Sequence, residues 1–173
     1  LTQNANKQKW KLSEEKYFEI IRDKTASLFS TCCRLGAMAS NAEPEKIENL
    51  SKFGLYTGIA FQIADDLIDI TGGKSEGKTL GRDIAESKAT LPLIHLLETL
   101  DEKRAGNIIE EISAGKTPNN YEQMLNESGS IEYSRNLAKE YCQKALKSIE
   151  NTGQSESTNQ LKEITQMVLK RCG

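Results

Sequence analysis

The sequence is poor in the residues that interrupt helices. Only 3 prolines and 12 glycines occur among 173 residues, and no alternation of polar and apolar residues recurs along the chain. Because turns concentrate proline and glycine, and half-buried strands alternate, this scarcity argues against a strand-rich fold. The spacing of the apolar residues predicts an all-α fold, organised as a single unit over residues 1–173 that begins with a polar loop at residues 1–12.

Long runs of one charge sign and long apolar runs are also absent. The formal net charge is −2 with 28% charged residues, which argues against a nucleic-acid-binding protein. No apolar segment approaches the length of a membrane span, and residues 1–12 lack the apolar part of a signal peptide. We expect a cytoplasmic protein or one of an organelle matrix.

Paired metal-binding cysteines are missing as well. Cys32, Cys33, Cys142 and Cys172 form no C-x-x-C pair, and His95 is the only histidine, so a structural zinc site is not expected. Adjacent Cys32 and Cys33 are interpreted as small buried residues of a helix, in a reducing compartment. His95 lies in an apolar run, which favours a packed structural histidine over a catalytic one.

The most informative stretch that is present is an apolar helix carrying three aspartates. The only charged residues between 53 and 70 are Asp65, Asp66 and Asp69, and Gly72 follows as a helix stop. Carboxylates on one face repel one another and resist burial, and hard oxygen ligands suit Mg²⁺. A D-D-x-x-D string alone is also typical of a solvated helix face. The lack of other charges around it favours a metal site.

The helix before the aspartates carries one lysine among apolar residues. It is predicted from Ser13, its N-cap, to about Ser40, with Lys24 one turn from Leu28 on the core-facing side. The apolar stripe predicted to face the core along this helix comprises Tyr17, Ile20, Ile21, Leu28, Cys32 and Leu35. Lys24 either reaches into solvent along its aliphatic stem or points inward towards anions, and both alternatives stay open.

Glycines divide the middle of the chain. The aspartate helix is predicted from Glu43-Pro44 to about Ile70, and its Gly54 and Gly58 permit close approach by a neighbouring helix or by a ligand.

The glycine- and lysine-rich segment from Thr71 to Arg82 is either a flexible linker or a mobile loop that closes over a phosphate. A helix capped by Thr90, with Pro92 in its first turn, is predicted next, and later helices are predicted at about 101–114, 120–127, 130–149 and 159–171.

Several ordered motifs resemble the trans-polyprenyl diphosphate synthases. Phe61-Gln62, Asp65-Asp66-x-x-Asp69, Gly77 to Asp83 and Ser87 to Pro92 are similar to that family's second aspartate-rich region, and Asp23 to Phe29 is similar to its Lys-Thr helix. The resemblance begins near Ser13 and corresponds to the C-terminal half of the family. It implies an antiparallel helical bundle of the isoprenoid synthase type.

The resemblance also implies an activity. Such enzymes condense an allylic diphosphate with isopentenyl diphosphate to make a polyprenyl diphosphate. The implied residues are Asp65, Asp66 and Asp69 for Mg²⁺, Lys24, Thr25 and Gln62 for catalysis, and Lys24, Phe61, Lys78 and Lys88 for substrate. A homodimer, or a heterodimer with a prenyltransferase chain, is expected, with peripheral membrane contact if the product is a long lipid.

The family's first aspartate-rich motif and its isopentenyl diphosphate site have no counterpart in this sequence. The residues are therefore a fragment of a longer protein, a subunit that a partner completes, or a remnant without synthase activity. A non-catalytic, regulatory prenyltransferase-like subunit that acts through helix association is the main alternative function. A helical interaction domain that merely binds metal is a third.

Overall fold

The computed structural model describes residues 12–71 and 88–172, and this part of the chain is helical without any strand. The prediction of an all-α fold is confirmed. None of the described helices is both long and apolar enough to cross a bilayer. The elements in order are α1 (Glu14–Ile21), a π-helical turn (Arg22–Ala26), α2 (Ser27–Ala39), α3 (Pro44–Thr71), α4 (Leu91–Thr99), α5 (Glu102–Ser113), α6 (Tyr121–Glu127), α7 (Ser130–Ser148) and α8 (Glu156–Arg171).

Side-chain caps define where the helices begin. The Ser13 hydroxyl accepts a hydrogen bond from the Lys16 amide at 3.2 Å, which confirms Ser13 as the predicted N-cap. The prediction that the last helix starts at Asn159 is wrong. The Ser155 hydroxyl accepts from the Thr158 amide at 3.1 Å, so that α8 begins three residues earlier, at Glu156.

Contacts between residues divide the chain into two compact units. The first unit is Leu1–Tyr17 with Asp65–Ser134, and the second is Phe18–Ala64 with Arg135–Gly173. The long helix α3 contributes its last residues to the first unit and the rest to the second. The single unit over residues 1–173 stays a prediction.

The core of the first unit is built around α4. This helix packs against α6, and four of its large apolar side chains are at most 1% exposed: Leu91, Leu93, Ile94 and Leu96. The amphipathic helix α5 adds Ile108, Ile109 and Ile112, whose spacing places them on one face. Burial of each such side chain stabilises the fold by about 1.5–3 kcal/mol.

The core of the second unit includes a close antiparallel contact between α2 and α3. A Cβ atom at Gly58 would lie 2.6 Å from the Cα of Ala26, and one at Gly54 would lie 2.7 Å from the carbonyl carbon of Phe29. Such distances are too short for real side-chain contacts. Gly54 and Gly58 therefore accommodate a neighbouring helix, the first of the two alternatives left open by the sequence.

The predicted core-facing stripe of the first long helix is wrong at Ile20, which is 43% exposed, and at every position beyond Ile21. Leu28 and Leu35 are 63% and 58% exposed, and Cys32 is exposed as well. The cause of the later errors is the π-helical turn Arg22–Ala26, which accommodates an extra residue and rotates everything after it by roughly 100° relative to an unbroken α-helix. The predicted stripe assumes an uninterrupted helix.

We expect Gly58→Ala to lower the free energy of unfolding by about 1–3 kcal/mol, because the new methyl group meets the backbone of Ala26. Gly36→Ala is the matched control. Nothing lies within 4 Å of a Cβ at that α2 position, so the variant should gain up to about 1 kcal/mol. Urea denaturation followed by circular dichroism measures both. Equal stability of the two variants would contradict the close helix contact.

A buried hydroxyl gives a second stability test. Thr57 is 1% exposed, and its hydroxyl has no hydrogen-bond partner among the described residues. Thr57→Val should therefore raise the free energy of unfolding by about 1 kcal/mol, since a methyl group replaces an unpaired polar atom. Thr165→Val should lower it by a similar amount, because that hydroxyl donates to the Leu161 carbonyl at 3.2 Å. A loss of stability in Thr57→Val would show that its hydroxyl is paired.

Candidate functional site

Thr25 and Gln62, both expected to act in catalysis, are in direct contact in the second unit. The Thr25 hydroxyl donates to the side-chain carbonyl oxygen of Gln62 at 2.9 Å, although 37 residues separate them in sequence. The π-helical turn carries Thr25, and α3 carries Gln62. Because the hydrogen bond fixes which side of the amide presents its oxygen, it also orients the Gln62 NH₂ group.

Phe61 lies in an aromatic and cationic cluster of the second unit. Its ring centroid is 5.6 Å from that of Phe29, and the guanidinium carbon of Arg171 lies 5.0 Å from the Phe61 centroid. This distance is within the range of a cation–π interaction. No sequence pattern singles out Arg171, since a basic residue in the last turn of a helix is already explained by the helix dipole.

Lys24 is exposed to solvent within the π-helical turn. Of the two alternatives for Lys24, a side chain that reaches into solvent and one that points inward towards anions, the structure shows the first. The core-facing position expected for Lys24 is corrected for the same reason as that of Leu28, namely the change of helical type between Ile21 and Ser27.

The three aspartates of the first unit differ in environment. Asp65 is exposed, Asp69 is partly buried and Asp66 is only 5% exposed. The Asp66 Oδ2 atom accepts a hydrogen bond from the Tyr17 hydroxyl at 2.7 Å and a longer one, 3.4 Å, from the Leu91 amide. Asp66 thus connects the start of α1 and the start of α4 to α3.

The described carboxylates offer part of the ligand set that Mg²⁺ requires. In residues 12–71 and 88–172, no three histidine, cysteine, aspartate or glutamate side chains are close enough together to hold a metal ion. Mg²⁺ usually takes only one or two protein carboxylates and keeps its waters or binds substrate phosphates. Asp65 and Asp69 lie one turn apart on α3 and are both more accessible than Asp66. They fit such a partial set of ligands.

Of the two other lysines predicted to bind substrate, only Lys88 lies within the described residues. Lys88 is exposed and lies shortly before α4 in the first unit. Lys78 and nearly all of the glycine-rich segment from Thr71 to Arg82 fall outside the described residues. Their assignment to substrate binding stays a prediction.

His95 is a packed structural residue, as predicted. Its ring stacks on Tyr133 with 4.2 Å between centroids, and its Nδ1 atom is 2.9 Å from the hydroxyl of the fully buried Ser130. The Tyr133 hydroxyl in turn donates to a Glu14 carboxylate oxygen at 2.7 Å. These contacts hold α1, α4 and α7 together within the first unit.

The cysteines are poor candidates for nucleophiles. Burial, with a smaller contribution from the Cys172 thiol, raises the pKa of Cys142 to about 12, so Cys142 stays protonated at neutral pH. Burial also raises the pKa of Cys33. Cys32 is exposed, which corrects its interpretation as a small buried residue.

The contacts of Asp66 generate a test that needs no metal. Asp66→Ala should lower the free energy of unfolding by about 1–3 kcal/mol, because the buried Tyr17 hydroxyl loses its acceptor. Asp65→Ala should stay within about 0.5 kcal/mol of the unmodified protein, since Asp65 is exposed. Thermal denaturation in EDTA compares the two variants. The reverse order of stabilities would overturn this assignment of roles.

Relatives found by comparison with known proteins are prenyl diphosphate synthases. The family model described as polyprenyl synthetase matches residues 1–128. The short chain isoprenyl diphosphate synthase of Methanothermobacter thermautotrophicus is 32% identical over 92% of this chain and 50% of its own length. The octaprenyl diphosphate synthase of Escherichia coli is 34% identical over 80% of this chain and 44% of its own.

Solved structures show the same fold. The decaprenyl diphosphate synthase of Rhodobacter capsulatus has a TM-score of 0.85 at 30% identity, over 94% of this chain and 51% of that one. The polyprenyl synthase of Caulobacter crescentus, solved with calcium and isoprenyl diphosphate, has a TM-score of 0.82 at 31% identity over the same shares, 94% and 51%. The chain spans about half the length of these relatives. It belongs to the polyprenyl synthetase family.

Proposed function

We propose that this chain supplies the second aspartate-rich half of a trans-prenyltransferase site, which joins an allylic diphosphate to isopentenyl diphosphate. The observation that carries the proposal is the 2.9 Å hydrogen bond between Thr25 and Gln62. It joins two motifs that were expected, from separate stretches of sequence, to act on the same substrate. The size of the product does not follow from these residues.

The reaction requires stabilisation of a leaving group. The bond between the allylic carbon and the diphosphate oxygen breaks, and the electron pair leaves with the diphosphate. The double bond of isopentenyl diphosphate then attacks the allylic cation, and a proton is lost. Lys24 is proposed to bind a diphosphate oxygen as a point charge, and Thr25 with Gln62 to present fixed dipoles.

Phe61 is proposed to form part of an apolar wall for the isoprenoid tail. The guanidinium of Arg171 already lies over its ring, 5.0 Å from the centroid. Since the guanidinium occupies that face, the face is not available to stabilise a carbocation. A role in shaping the tail-binding surface is therefore favoured over a role in the cationic step.

We propose that Asp65 and Asp69 hold Mg²⁺ and that Asp66 positions the end of α3. A bound Mg²⁺ ion would neutralise the charge that develops on the departing diphosphate. The exposure of Asp65 and the hydrogen bonds from Tyr17 and Leu91 to Asp66 support this division. Asp66 then acts through the backbone that carries its neighbours.

A regulatory, non-catalytic subunit is the second candidate function. The observation that favours it is the donor set: within residues 12–71 and 88–172, no three histidine, cysteine, aspartate or glutamate side chains are close enough together to hold a metal ion. Such a subunit would pair with another prenyltransferase chain and would not need a working metal site. The two candidates differ in whether Asp65 matters for ligand binding.

The first test is calorimetry with Mg²⁺ and inorganic diphosphate. We expect Mg²⁺ binding to depend strongly on diphosphate and to be largely lost in Asp65→Ala, because few protein carboxylates remain to hold the ion. Asp101→Asn is the control, since Asp101 is an exposed carboxylate of the first unit whose capping role asparagine preserves. Unchanged binding in Asp65→Ala would favour the regulatory subunit.

The second test is chain elongation. Residues 1–173 alone should show no appreciable turnover, because one acidic cluster provides only one side of the charge clamp, a loss on the order of a thousandfold in rate. Supplying the half that the relatives possess and this chain does not span should restore activity. Asp65→Ala or Lys24→Ala should then reduce it at least a hundredfold, on the order of 3 kcal/mol. Robust turnover by the chain alone would refute the argument.

A further inference from the structure

Asp66 is held by groups from two other segments of the first unit. Its Oδ2 atom accepts hydrogen bonds from the Tyr17 hydroxyl at 2.7 Å and from the Leu91 amide at 3.4 Å. Tyr17 is 3% exposed and Asp66 is 5% exposed, so the pair lies away from solvent. An ionised carboxylate only accepts hydrogen bonds, and the hydroxyl is therefore the donor. The short distance to Tyr17 is typical of a charge-assisted hydrogen bond, whereas the amide contact is long.

The three aspartates occupy one sector of α3. Asp65, Asp69 and Asp66 project within roughly 100° of one another around the helix axis. Asp65 is exposed and Asp69 is partly buried, whereas Asp66 is buried. A change of side-chain rotamer at Asp66 would therefore bring its carboxylate towards the side of the helix that carries the other two. The hydrogen bond from Tyr17 opposes that change.

The number of carboxylates at such a site selects between divalent ions. Mg²⁺ requires a near-octahedral shell, keeps several waters and takes one or two carboxylates together with substrate phosphates. Ca²⁺ is larger, takes roughly six to eight oxygens in flexible arrangements and binds a carboxylate through one or both of its oxygens. A third available carboxylate therefore favours Ca²⁺ binding more than it favours Mg²⁺ binding.

We propose that Tyr17 is a positioning residue that sets the metal selectivity of the proposed site. Its hydroxyl holds the Asp66 carboxylate apart from those of Asp65 and Asp69, and so limits the ligand set to the two carboxylates that suit Mg²⁺. This inference rests on the proposed role of Asp65 and Asp69 in holding the ion. It goes further because it assigns the choice of ion to a residue of α1 that acts through Asp66.

Tyr17→Phe removes the donor and keeps the aromatic ring. A buried carboxylate that loses its short hydrogen bond is costly, so the Asp66 side chain should turn towards solvent and become available to an ion. We expect the affinity for Ca²⁺ to rise relative to that for Mg²⁺ by about tenfold, because the site then offers three carboxylates. Calorimetry with each ion measures this ratio in the presence of geranyl thiolodiphosphate, an unreactive analogue of an allylic diphosphate.

Tyr133→Phe is the matched control. The Tyr133 hydroxyl also donates to a carboxylate oxygen at 2.7 Å within the first unit, but its acceptor is Glu14 of α1. Loss of that hydrogen bond leaves the contact between Tyr17 and Asp66 in place, so the ratio of Ca²⁺ to Mg²⁺ affinity should match that of the unmodified chain. An equal change of the ratio in both variants would assign the effect to a loosened α1 and overturn the proposal.

A second substitution tests whether Asp66 carries the effect. Asp66→Asn keeps an acceptor for the Tyr17 hydroxyl but removes the negative charge that attracts a metal ion. Combined with Tyr17→Phe, it should abolish the gain in relative Ca²⁺ affinity, because no third carboxylate remains. Persistence of the gain in the double variant would rule out the role of Asp66 and with it the proposal.

The ratio also separates selectivity from a loss of structure. A variant that is merely destabilised binds both ions more weakly, so equal weakening of Ca²⁺ and Mg²⁺ binding in Tyr17→Phe would overturn the proposal. If the unmodified chain binds neither ion, the proposed metal site is wrong and the role of Tyr17 falls with it. If Mg²⁺ binding is present and depends on Asp65, yet Tyr17→Phe leaves the ratio unchanged, the metal site stands and the role of Tyr17 alone is refuted.

Discussion

The backbone contact between α2 and α3 is the constraint on which the second unit depends. Where Gly54 and Gly58 face Phe29 and Ala26, no side chain separates the two helices. This approach brings the side chains of Thr25 and Gln62 within hydrogen-bond distance, 2.9 Å. Bulkier residues at the two glycine positions would hold the helices at a larger separation and lengthen this contact. The pairing of Thr25 with Gln62 therefore depends on two positions that lack a side chain.

The three aspartates of the first unit lie in different environments. A string of three carboxylates appears uniform in sequence, yet one is buried and hydrogen-bonded while another is exposed. Burying Asp66 is tolerable because Tyr17 and the Leu91 amide supply donors. Asp65 is exposed, so solvent and ions can reach its carboxylate. Neighbouring identical residues thus occupy different environments.

Much of the fold could be predicted because local signals agree with it. The cap at Ser13, the helix stop at Gly129 with its φ of 72°, and the apolar periodicity of α5 each act within a few residues. The resemblance assigned Thr25 and Gln62 to the same task, and the structure brings the two side chains into contact. The features that could not be predicted depend on contacts between residues that are distant in sequence. Arg171 meets Phe61 only after the whole second unit has folded.

The π-helical turn could not be predicted for a different reason. Its five residues, Arg22–Ala26, contain no proline or glycine and therefore give no local warning. Helical periodicity alone assigns Leu28 and Leu35 to the core, and both are exposed. The error is one of phase: the pattern is helical, but the turn rotates the apolar stripe by roughly 100° away from its predicted direction.

The same turn has a genetic consequence. A wide turn of this kind absorbs one extra residue, so deletion of a single codon within residues 22–26 is expected to leave a continuous α-helix and not a break. Because the turn accommodates that extra residue, the segment that follows, up to Ala39, would keep the faces that it presents now. Leu28 and Leu35 would therefore stay in contact with solvent. The turn is thus a place where the chain can lose one residue without moving the helix contacts that follow it.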